Sequence, residues 1–497
     1  MRLLKLLPLL LCLASPAFAA TAPLTPGNIV VAVSGKGASG ISFTDNQASP
    51  LSLYQYTPTG LNQAVLAGRS VVTGSANPIS SEYGSSSEGL LQRSGDGKSL
   101  TIMGYAIDAT TFNASPSTYV PQTATNAGKT SALAQSTSMA GGTTVTANGT
   151  TTTYQPVARV IANITADGGV DTSTALLNVF DQNNPRSVWT QNGSSYYVSG
   201  QGVSGDTTGG VFYTTAGSTT ATPITGKDTS NNTATQDTRD VQVVNGQLYV
   251  SVDSKSGSGN NRDYVGTVGT GTPTTTVVNS SGKATGPTML KGFGNSGGTG
   301  KLVVTLTNGV ENTNGLAPVG SEINLSPEQF FFANSTTLYV TDTGQPKNDS
   351  VTNDSNGNRL GNGGLEKWVL NNGSWSLAYT LSAGLDLVSN TSASGTTGLF
   401  GLAGRLNDDG TVSFYATSYT INDLDTSYLY AITDTLSATS GAGEAFSVID
   451  SATDSKFMGV AFAPDAATVP EPASWAMMVG GFGLLGGMLR RRRVVFA

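Results

Sequence analysis

The chain has 497 residues, of which 11% are charged and 38% hydrophobic, with a net charge of −7 and no histidine. The lack of histidine and the single cysteine exclude Ser-His-Asp and Cys-His catalysis and the usual zinc and copper sites. The acidic balance also argues against nucleic acid as a partner, because basic residues are needed to release phosphate counterions.

Residues 1–19 predict a secretory signal peptide. Arg2 and Lys5 precede an apolar stretch that is too short to span a membrane, and Ala17-Phe18-Ala19 forms a small-x-small cleavage site. We therefore expect export through the Sec machinery. Cys12 lies in this segment, so the mature chain would have no cysteine and no disulfide.

Residues 27–465 predict one all-β domain built from repeated units. Each unit has a short apolar strand, a Gly- or Asn-rich turn, a second strand, a polar loop and one or two further strands. Turns such as "SGDGKS" and "NDDGT" are typical of β-hairpins, because Gly and Asn adopt positive φ. Four short antiparallel strands repeated around a ring predict a β-propeller. The clearest units begin at Ser87, Ser187, Asp240, Glu328 and Gly398.

The two ends of this domain supply a sixth unit. The segment "FMGVAFAP" from Phe457 looks like an innermost strand without a partner, and the segments from Gly27, Leu51 and Leu61 look like the three strands that it needs. We predict that they complete one blade and close the ring, which removes exposed sheet edges. Six blades are expected, or seven if "KLVVTLTNGV" from Lys301 is a blade rather than an insertion. Uneven repeat lengths disfavour a β-solenoid, and the lack of a linker disfavours an array of sandwiches.

Charged residues recur at or just before the starts of the predicted innermost strands. In a propeller these positions circle one mouth of the central channel, where they could bind a sugar or a carboxylate. Ion pairing between adjacent blades is the more common cause of such clusters. A hydrolase that uses Glu88, Glu328 or Asp240 as acid and base is a further alternative, although no catalytic motif is present. The six candidate residues are Glu88, Arg186, Arg239, Asp240, Glu328 and Lys456.

A polar loop is the candidate cation site. Asp354, Asn356 and Asn358 alternate as in the first half of a calcium loop, and oxygen ligands suit calcium. The EF-hand pattern is incomplete, and a solvated Asn/Gly loop has the same composition. No other cofactor is predicted.

Residues 469–497 form a three-part tail. The Pro-Glu-Pro motif is followed by 17 uncharged residues, 473–489, with Trp475 near their start, and then by an arginine cluster. The arginines would hold the far end on the cytoplasmic side of a membrane. The tail resembles the PEP-CTERM sorting signal of Gram-negative bacteria in the pattern P-E-P-x-x-W-A-M-M-x-x-G-F-G; a plain C-terminal anchor is the alternative. The residues that carry it are Pro470, Glu471, Pro472, Trp475, Arg490, Arg491, Arg492 and Arg493.

The resemblance implies transient insertion in the inner membrane, recognition by an exosortase, removal of the tail, and a final place at the cell surface or outside the cell. It also implies an association with exopolysaccharide or biofilm. The propeller domain is similar to uncharacterised secreted bacterial propellers that carry the same tail. Loss of residues 1–19 and of the residues after Pro472 would change the net charge from −7 to −13. We expect a non-catalytic envelope or matrix protein that binds polysaccharide or other matrix components. The alternative is an extracellular hydrolase or lyase that uses carboxylates on a polymer.

Overall fold

The computed structural model describes residues 21–122, 132–147, 149–203, 206–225, 237–254, 263–293, 301–303, 322–345, 363–389 and 392–465. These residues form antiparallel sheets connected by loops, with one short helix, α1 (Ala109–Ala114). Asp108 caps this helix, because its side chain accepts a hydrogen bond from the Thr111 backbone N–H. The three short 3-10 helices are Gly37–Ser39, Pro116–Thr118 and Leu133–Gln135.

Five sheets have four strands each, listed here from the innermost strand outwards. Sheet 1 contains β31 (Ser455–Phe462), β1 (Ile29–Gly35), β3 (Ser52–Gly60) and β4 (Gln63–Val71). Sheet 3 contains β13 (Pro185–Trp189), β14 (Ser195–Gly200), β15 (Gly210–Thr215) and β16 (Thr222–Pro223). Sheet 4 contains β17 (Thr238–Val244), β18 (Gln247–Asp253), β19 (Asp263–Thr267) and β20 (Thr288–Met289). Sheet 5 contains β23 (Pro327–Asn334), β24 (Thr337–Asp342), β25 (Gly364–Asn371) and β26 (Ser374–Leu381). Sheet 6 contains β27 (Thr396–Leu406), β28 (Thr411–Thr420), β29 (Ser427–Thr435) and β30 (Ser447–Ala452).

Sheet 2 is larger and less regular, with seven strands. Its main path is β11 (Val170–Asp171), β10 (Arg159–Thr165), β7 (Ser99–Tyr105), β5 (Ser80–Glu82) and β2 (Ala48–Pro50). The short strand β6 (Gln92–Arg93) pairs with β7, and β12 (Ala175–Leu176) pairs with β10. Two hairpins lie outside these sheets: β8 (Thr143–Ala147) with β9 (Thr150–Tyr154), and β21 (Lys301–Val303) with β22 (Glu322–Asn324).

The local sequence accounts for the hairpins. Asn245 and Gly246 both have positive φ, 50° and 77°, and join β17 to β18 in the two-residue turn that the "VNGQ" segment predicts. Asn372 and Gly373 do the same between β25 and β26. The predicted pairing of the chain ends is also present, since β31 lies antiparallel to β1 with Ile29 opposite Phe462.

The repeated four-stranded sheets make the domain a β-propeller, as predicted. Neighbouring sheets are joined by side-chain packing, hydrogen bonds and ion pairs rather than by strand pairing; Phe293 stacks on Trp368, for example, with ring centroids 4.0 Å apart. The innermost strands approach closely: a Cβ on Gly459 of β31 would lie 2.0 Å from the backbone nitrogen of Leu91. Glycine at this position therefore lets the inner strands pack against one another.

Candidate functional site

Five of the six predicted charged residues lie within the first three residues of an innermost strand. Arg186 is in β13, Arg239 and Asp240 are in β17, Glu328 is in β23 and Lys456 is in β31. Glu88 precedes β6 in a loop. We call this side of the propeller the charged end. All six residues are buried, with relative exposures between 0% and 5%.

Arg239 is the centre of an ion-pair network at the charged end. Its Nη1 lies 2.9 Å from Glu328 Oε2, its Nη2 lies 3.2 Å from Asp253 Oδ2, and its Nε lies 3.5 Å from Asp237 Oδ1. Burial by itself lowers the pKa of Arg239, but the charges of Glu328, Asp237 and Asp253 raise it overall. The arginine therefore stays charged and connects sheet 4 to sheet 5. Sequence reasoning missed both aspartates: Asp237 lies only two residues before Arg239, and Asp253 is brought close by the pairing of β17 with β18.

Arg186 belongs to the same network but uses fewer of its donors. Its Nη2 lies 2.9 Å from Asp237 Oδ1 and also donates to Gln201 Oε1 at 2.9 Å. Its Nε and Nη1 have no hydrogen-bond partner among the described residues. Burial, and next the neighbouring charge of Arg239, lower its pKa. The prediction that the charged end binds a ligand therefore rests mainly on Arg186.

Asp240 points away from Arg239, as alternation along a strand predicts. Its Oδ1 accepts hydrogen bonds from Gln92 Nε2 at 2.5 Å and from the Ser187 hydroxyl at 2.9 Å, and its Oδ2 accepts one from Gln242 Nε2 at 2.5 Å. Burial raises the pKa of Asp240 to about 7, although these hydrogen bonds oppose the shift. The carboxyl group thus connects sheets 2, 3 and 4.

Glu88 lies in a separate carboxyl pair with Glu82. Its Oε2 accepts hydrogen bonds from the Tyr105 hydroxyl at 2.6 Å and from Asn184 Nδ2 at 3.1 Å, and its Oε1 accepts from the Glu82 backbone N–H at 2.8 Å. Burial raises the pKa of both carboxyl groups, and the charge of Glu88 raises that of Glu82 further. These contacts hold sheet 2 and its loops together.

Lys456 is fixed by loops on either side of it. Its Nζ donates to the Ser86 hydroxyl at 2.5 Å and to the backbone oxygens of Asp423 at 3.1 Å and Gly84 at 3.3 Å. Burial lowers the pKa of Lys456 to about 8, with Asp423 as the strongest opposing charge. The six predicted residues therefore divide among the Arg239 network, the Asp240 junction, the Glu82–Glu88 pair and the Lys456 loops.

A cavity of about 370 Å³ opens where the innermost strands approach their ends, and we call this the open end. Its lining comes from β6, β13, β17, β23, β27 and β31 and the residues beside them. The walls combine apolar, aromatic and amide side chains with two arginines. The lining side chains include Gln92, Arg93, Trp189, Gln242, Gln329, Phe331, Arg405, Phe462 and Asp465.

The arginines at the open end are held loosely. Arg405 is exposed, and its guanidinium lies 4.8 Å from the centroid of the Phe462 ring. Arg93 pairs with Asp465 at 2.6 Å, but the Asp465 side chain is 70% exposed. Sequence reasoning missed this site. The available signal was an arginine just before the hairpin turn in both "LQRSGDG" and "AGRLNDDG".

Two predicted sites lie outside the described residues: the calcium loop at Asp354, Asn356 and Asn358, and the tail from Pro470 to Arg493. The signal peptide also lies outside them. None of the helices in the described residues is long and apolar enough to span a bilayer.

Comparison with protein families identifies the tail. The PEP-CTERM protein-sorting motif matches residues 468–493, as the sequence pattern predicted. The motif implies recognition by an exosortase and places the chain among exported proteins sorted to the cell envelope. No curated protein matches the chain significantly.

Solved structures that match the chain include a periplasmic gluconolactonase from Pseudomonas aeruginosa, with a TM-score of 0.36 and 10% identity over 86% of this chain and 83% of that one. A Lactobacillus plantarum protein has a TM-score of 0.31 and 11% identity over 86% and 83% of the two chains. An ancestral GH74 enzyme has a TM-score of 0.28 and 10% identity over 84% of this chain and 50% of that one. These likenesses are too distant to assign an activity.

Proposed function

We propose that this is an exported, exosortase-sorted protein of a Gram-negative cell envelope or matrix, and that its propeller binds a saccharide without catalysis. The mature domain would be residues 27–465, after removal of the signal peptide and, following an inner-membrane stage, of the tail. The observation that carries the binding role is the cavity at the open end, to which innermost strands of all six large sheets contribute.

The same observation supports a closed ring of six blades. Each innermost strand contacts the next around the cavity, and β31 of the C-terminus completes the blade begun by β1. The hairpin of β21 and β22 pairs with none of the large sheets, which favours an insertion over a seventh blade. A closed ring would explain why chain-end pairing is needed, since an open ring leaves sheet edges exposed.

The chemistry of the open end fits a saccharide that carries a carboxylate. Exposed Arg405 and half-exposed Arg93 offer charged donors to a carboxylate, and the Phe462 and Trp189 rings offer apolar faces to a sugar. The volume of about 370 Å³ is within the usual range of small-molecule sites, about 300–1,000 Å³. The negative charge of the whole chain opposes such a ligand only over long distances, which physiological salt screens.

The carboxylate-dependent hydrolase remains the alternative function. Its candidate groups Glu88, Glu328 and Asp240 are 0–2% exposed, and Arg239 binds both oxygens of Glu328. A glycosidase needs two carboxyl groups that reach the substrate. This arrangement therefore favours binding over hydrolysis.

Binding can be tested by isothermal titration calorimetry with tetragalacturonate as the probe and cellotetraose as its uncharged counterpart. We expect saturable binding of the acidic probe, and a loss of affinity of about tenfold or more (~1.4 kcal/mol) in Arg405→Ala. Arg69→Ala is the matched control, because Arg69 is also exposed over an aromatic ring, 4.5 Å from the Tyr54 centroid, but lies outside the cavity. Equal losses in both variants would refute the assignment. Release of reducing ends from the probe would favour the hydrolase.

Export and processing can be tested by the intact mass of the protein recovered from its native host. We expect a mass without residues 1–19 and without Trp475 and the arginine cluster. A mass that still includes Trp475 would contradict exosortase processing and favour a permanent anchor.

A further inference from the structure

A buried lysine and a buried aspartate meet between sheets 5 and 6. Lys367 of β25 places its Nζ 3.0 Å from Asp434 Oδ2 of β29, and the two side chains are 1% and 0% exposed. The Tyr379 hydroxyl donates to Asp434 Oδ1 at 2.7 Å, and the Tyr339 hydroxyl donates to Oδ2. An amine and a carboxyl group are therefore held in contact, away from water.

Aromatic rings surround this buried pair. Burial lowers the pKa of Lys367, although Asp434 opposes the shift. The rings of Tyr339 and Tyr379 lie 5.6 and 5.0 Å from Nζ, and Phe414 packs against Tyr339 with ring centroids 4.6 Å apart. A proton transfer from the ammonium to the carboxylate would leave a neutral amine beside a neutral acid, which is the pair that can condense.

A third group, Glu444, can carry protons in such a condensation. Its carboxyl group shares a hydrogen bond with that of Asp434, and burial, with the Asp434 charge, raises the pKa of Glu444 to about 7. No donor in the described part of the chain reaches its enclosed Oε2. Glu444 can therefore accept and donate a proton near neutral pH, beside the carboxyl group that would react.

We propose that Lys367 and Asp434 form an intramolecular amide bond that joins sheet 5 to sheet 6. The Lys367 nitrogen would attack the side-chain carbonyl carbon of Asp434, a C–N bond would form, and a C–O bond of the carboxyl group would break. Glu444 donates a proton to the departing oxygen and takes one from the nitrogen, so it returns to its starting state. The ammonium and carboxylate are converted to one amide and one water, with no oxidant or cofactor.

The product would fit the same surroundings. The backbone oxygens of Thr435 and Ala438, 2.9 and 3.0 Å from Nζ, can accept the amide N–H, and the tyrosine hydroxyls can donate to its carbonyl. The bond would add a covalent link between two sheets that are otherwise joined by packing, hydrogen bonds and this ion pair, in a chain whose one cysteine lies in the predicted signal peptide. The inference is independent of the saccharide site.

The test is mass spectrometry of a tryptic digest of the denatured, full-chain protein. Trypsin should not cleave after an acylated Lys367, so residues 360–405 and 406–456 should appear as one branched species, lighter by one water than their sum. The exposed pair Lys36 and Asp454, 3.6 Å apart, is an internal control and should stay uncoupled. Complete cleavage after Lys367, with both peptides at their unmodified masses, would overturn the proposal.

Two variants test the chemistry in chains whose fold is checked by circular dichroism. Lys367→Arg keeps the positive charge but removes the amine nucleophile, and should abolish the branched species. Glu444→Gln keeps the side-chain shape but removes the titratable proton, and should strongly reduce the branched fraction. Full coupling in Glu444→Gln would overturn the role given to Glu444, and the wild-type digest decides the bond itself even if both variants fail to fold.

Discussion

Arg239 and Arg405 both lie on innermost strands, but their surroundings differ. Arg239 is 1% exposed and is surrounded by Glu328, Asp253 and Asp237 at the charged end. Arg405 is exposed at the open end, where its described contact is the face of Phe462. An arginine whose donors are already used by buried carboxylates supports the fold, whereas one with donors facing water can bind a ligand.

This contrast distinguishes two roles for a charged residue in this chain: a buried ion pair that holds sheets together, and an exposed charge that can contact a ligand. Buried ion pairs contribute little net stability when compared with apolar packing, but they are costly to break singly, because the remaining charge has no partner. Exposed pairs contribute about 0–1 kcal/mol and break easily. The two ends should therefore respond oppositely to mutation: the charged end in stability and the open end in binding.

The largest effect should come from Arg239→Leu. It would leave Glu328 and Asp253 without their main cation, and we expect the free energy of unfolding to fall by about 3–5 kcal/mol. Arg405→Leu makes the same change at the open end and should cost at most about 1 kcal/mol, the value of an exposed cation–π contact. Denaturant unfolding of both variants measures the difference. Similar losses in the two would remove the distinction between the ends.

A smaller effect concerns pH. The pKa of Asp240 is about 7 in the folded protein and near 3.8 in an unfolded chain. Between these values the folded protein holds a proton that the unfolded chain has released, so this group's stabilising contribution is lost as pH rises from about 4 to 7.

Asp240→Asn should remove the contribution of Asp240 to the pH dependence. The stability of this variant relative to wild type should therefore increase as pH rises from about 4 to 7. The change should amount to about 1–3 kcal/mol. The unfolding free energy of the variant should still fall with pH, but less steeply than in wild type, because the pKa values of Asp342 and Glu444 are also raised to about 7. Thermal unfolding of the variant and wild type at several pH values measures this difference in pH dependence. Parallel profiles for the variant and wild type would show that Asp240 does not titrate as described.

The smallest effect on stability should come from Asp465→Asn at the open end. Its pair with Arg93 is largely exposed, so we expect a change in unfolding free energy below about 1 kcal/mol. The released Arg93 should then bind tetragalacturonate more tightly, by a few-fold in calorimetry. Weaker binding in this variant would mean that Arg93 needs Asp465 to hold it in place.

Much of the fold could be predicted because its signals are local. Asn245-Gly246 defines a hairpin by backbone conformation alone, and the unpartnered segment from Phe457 predicted its pairing with β1. The unit predicted from Ser87 is part of sheet 2, but the full sheet could not be predicted, since β2 and β5 are three-residue strands that join it from elsewhere in the chain.

The sites follow the same division. Position on a strand predicted that Arg239 and Asp240 would point in different directions, and the two side chains have different partners, as expected. Burial could not be read from the sequence, because it depends on which loops and strands meet around each side chain. The Arg239 partner Glu328, and the pair Lys367 and Asp434, come together only through the packing of neighbouring sheets.

The most direct test of the account compares the two ends in one binding experiment. Arg405→Ala removes the exposed arginine of the open end, and Arg186→Gln removes the buried arginine that has unused donors at the charged end. In calorimetry with tetragalacturonate, corrected for the folded fraction, we predict that Arg405→Ala loses about tenfold or more in affinity and that Arg186→Gln binds as wild type does. Unchanged binding in Arg405→Ala together with lost binding in Arg186→Gln would move the site to the charged end and contradict the account.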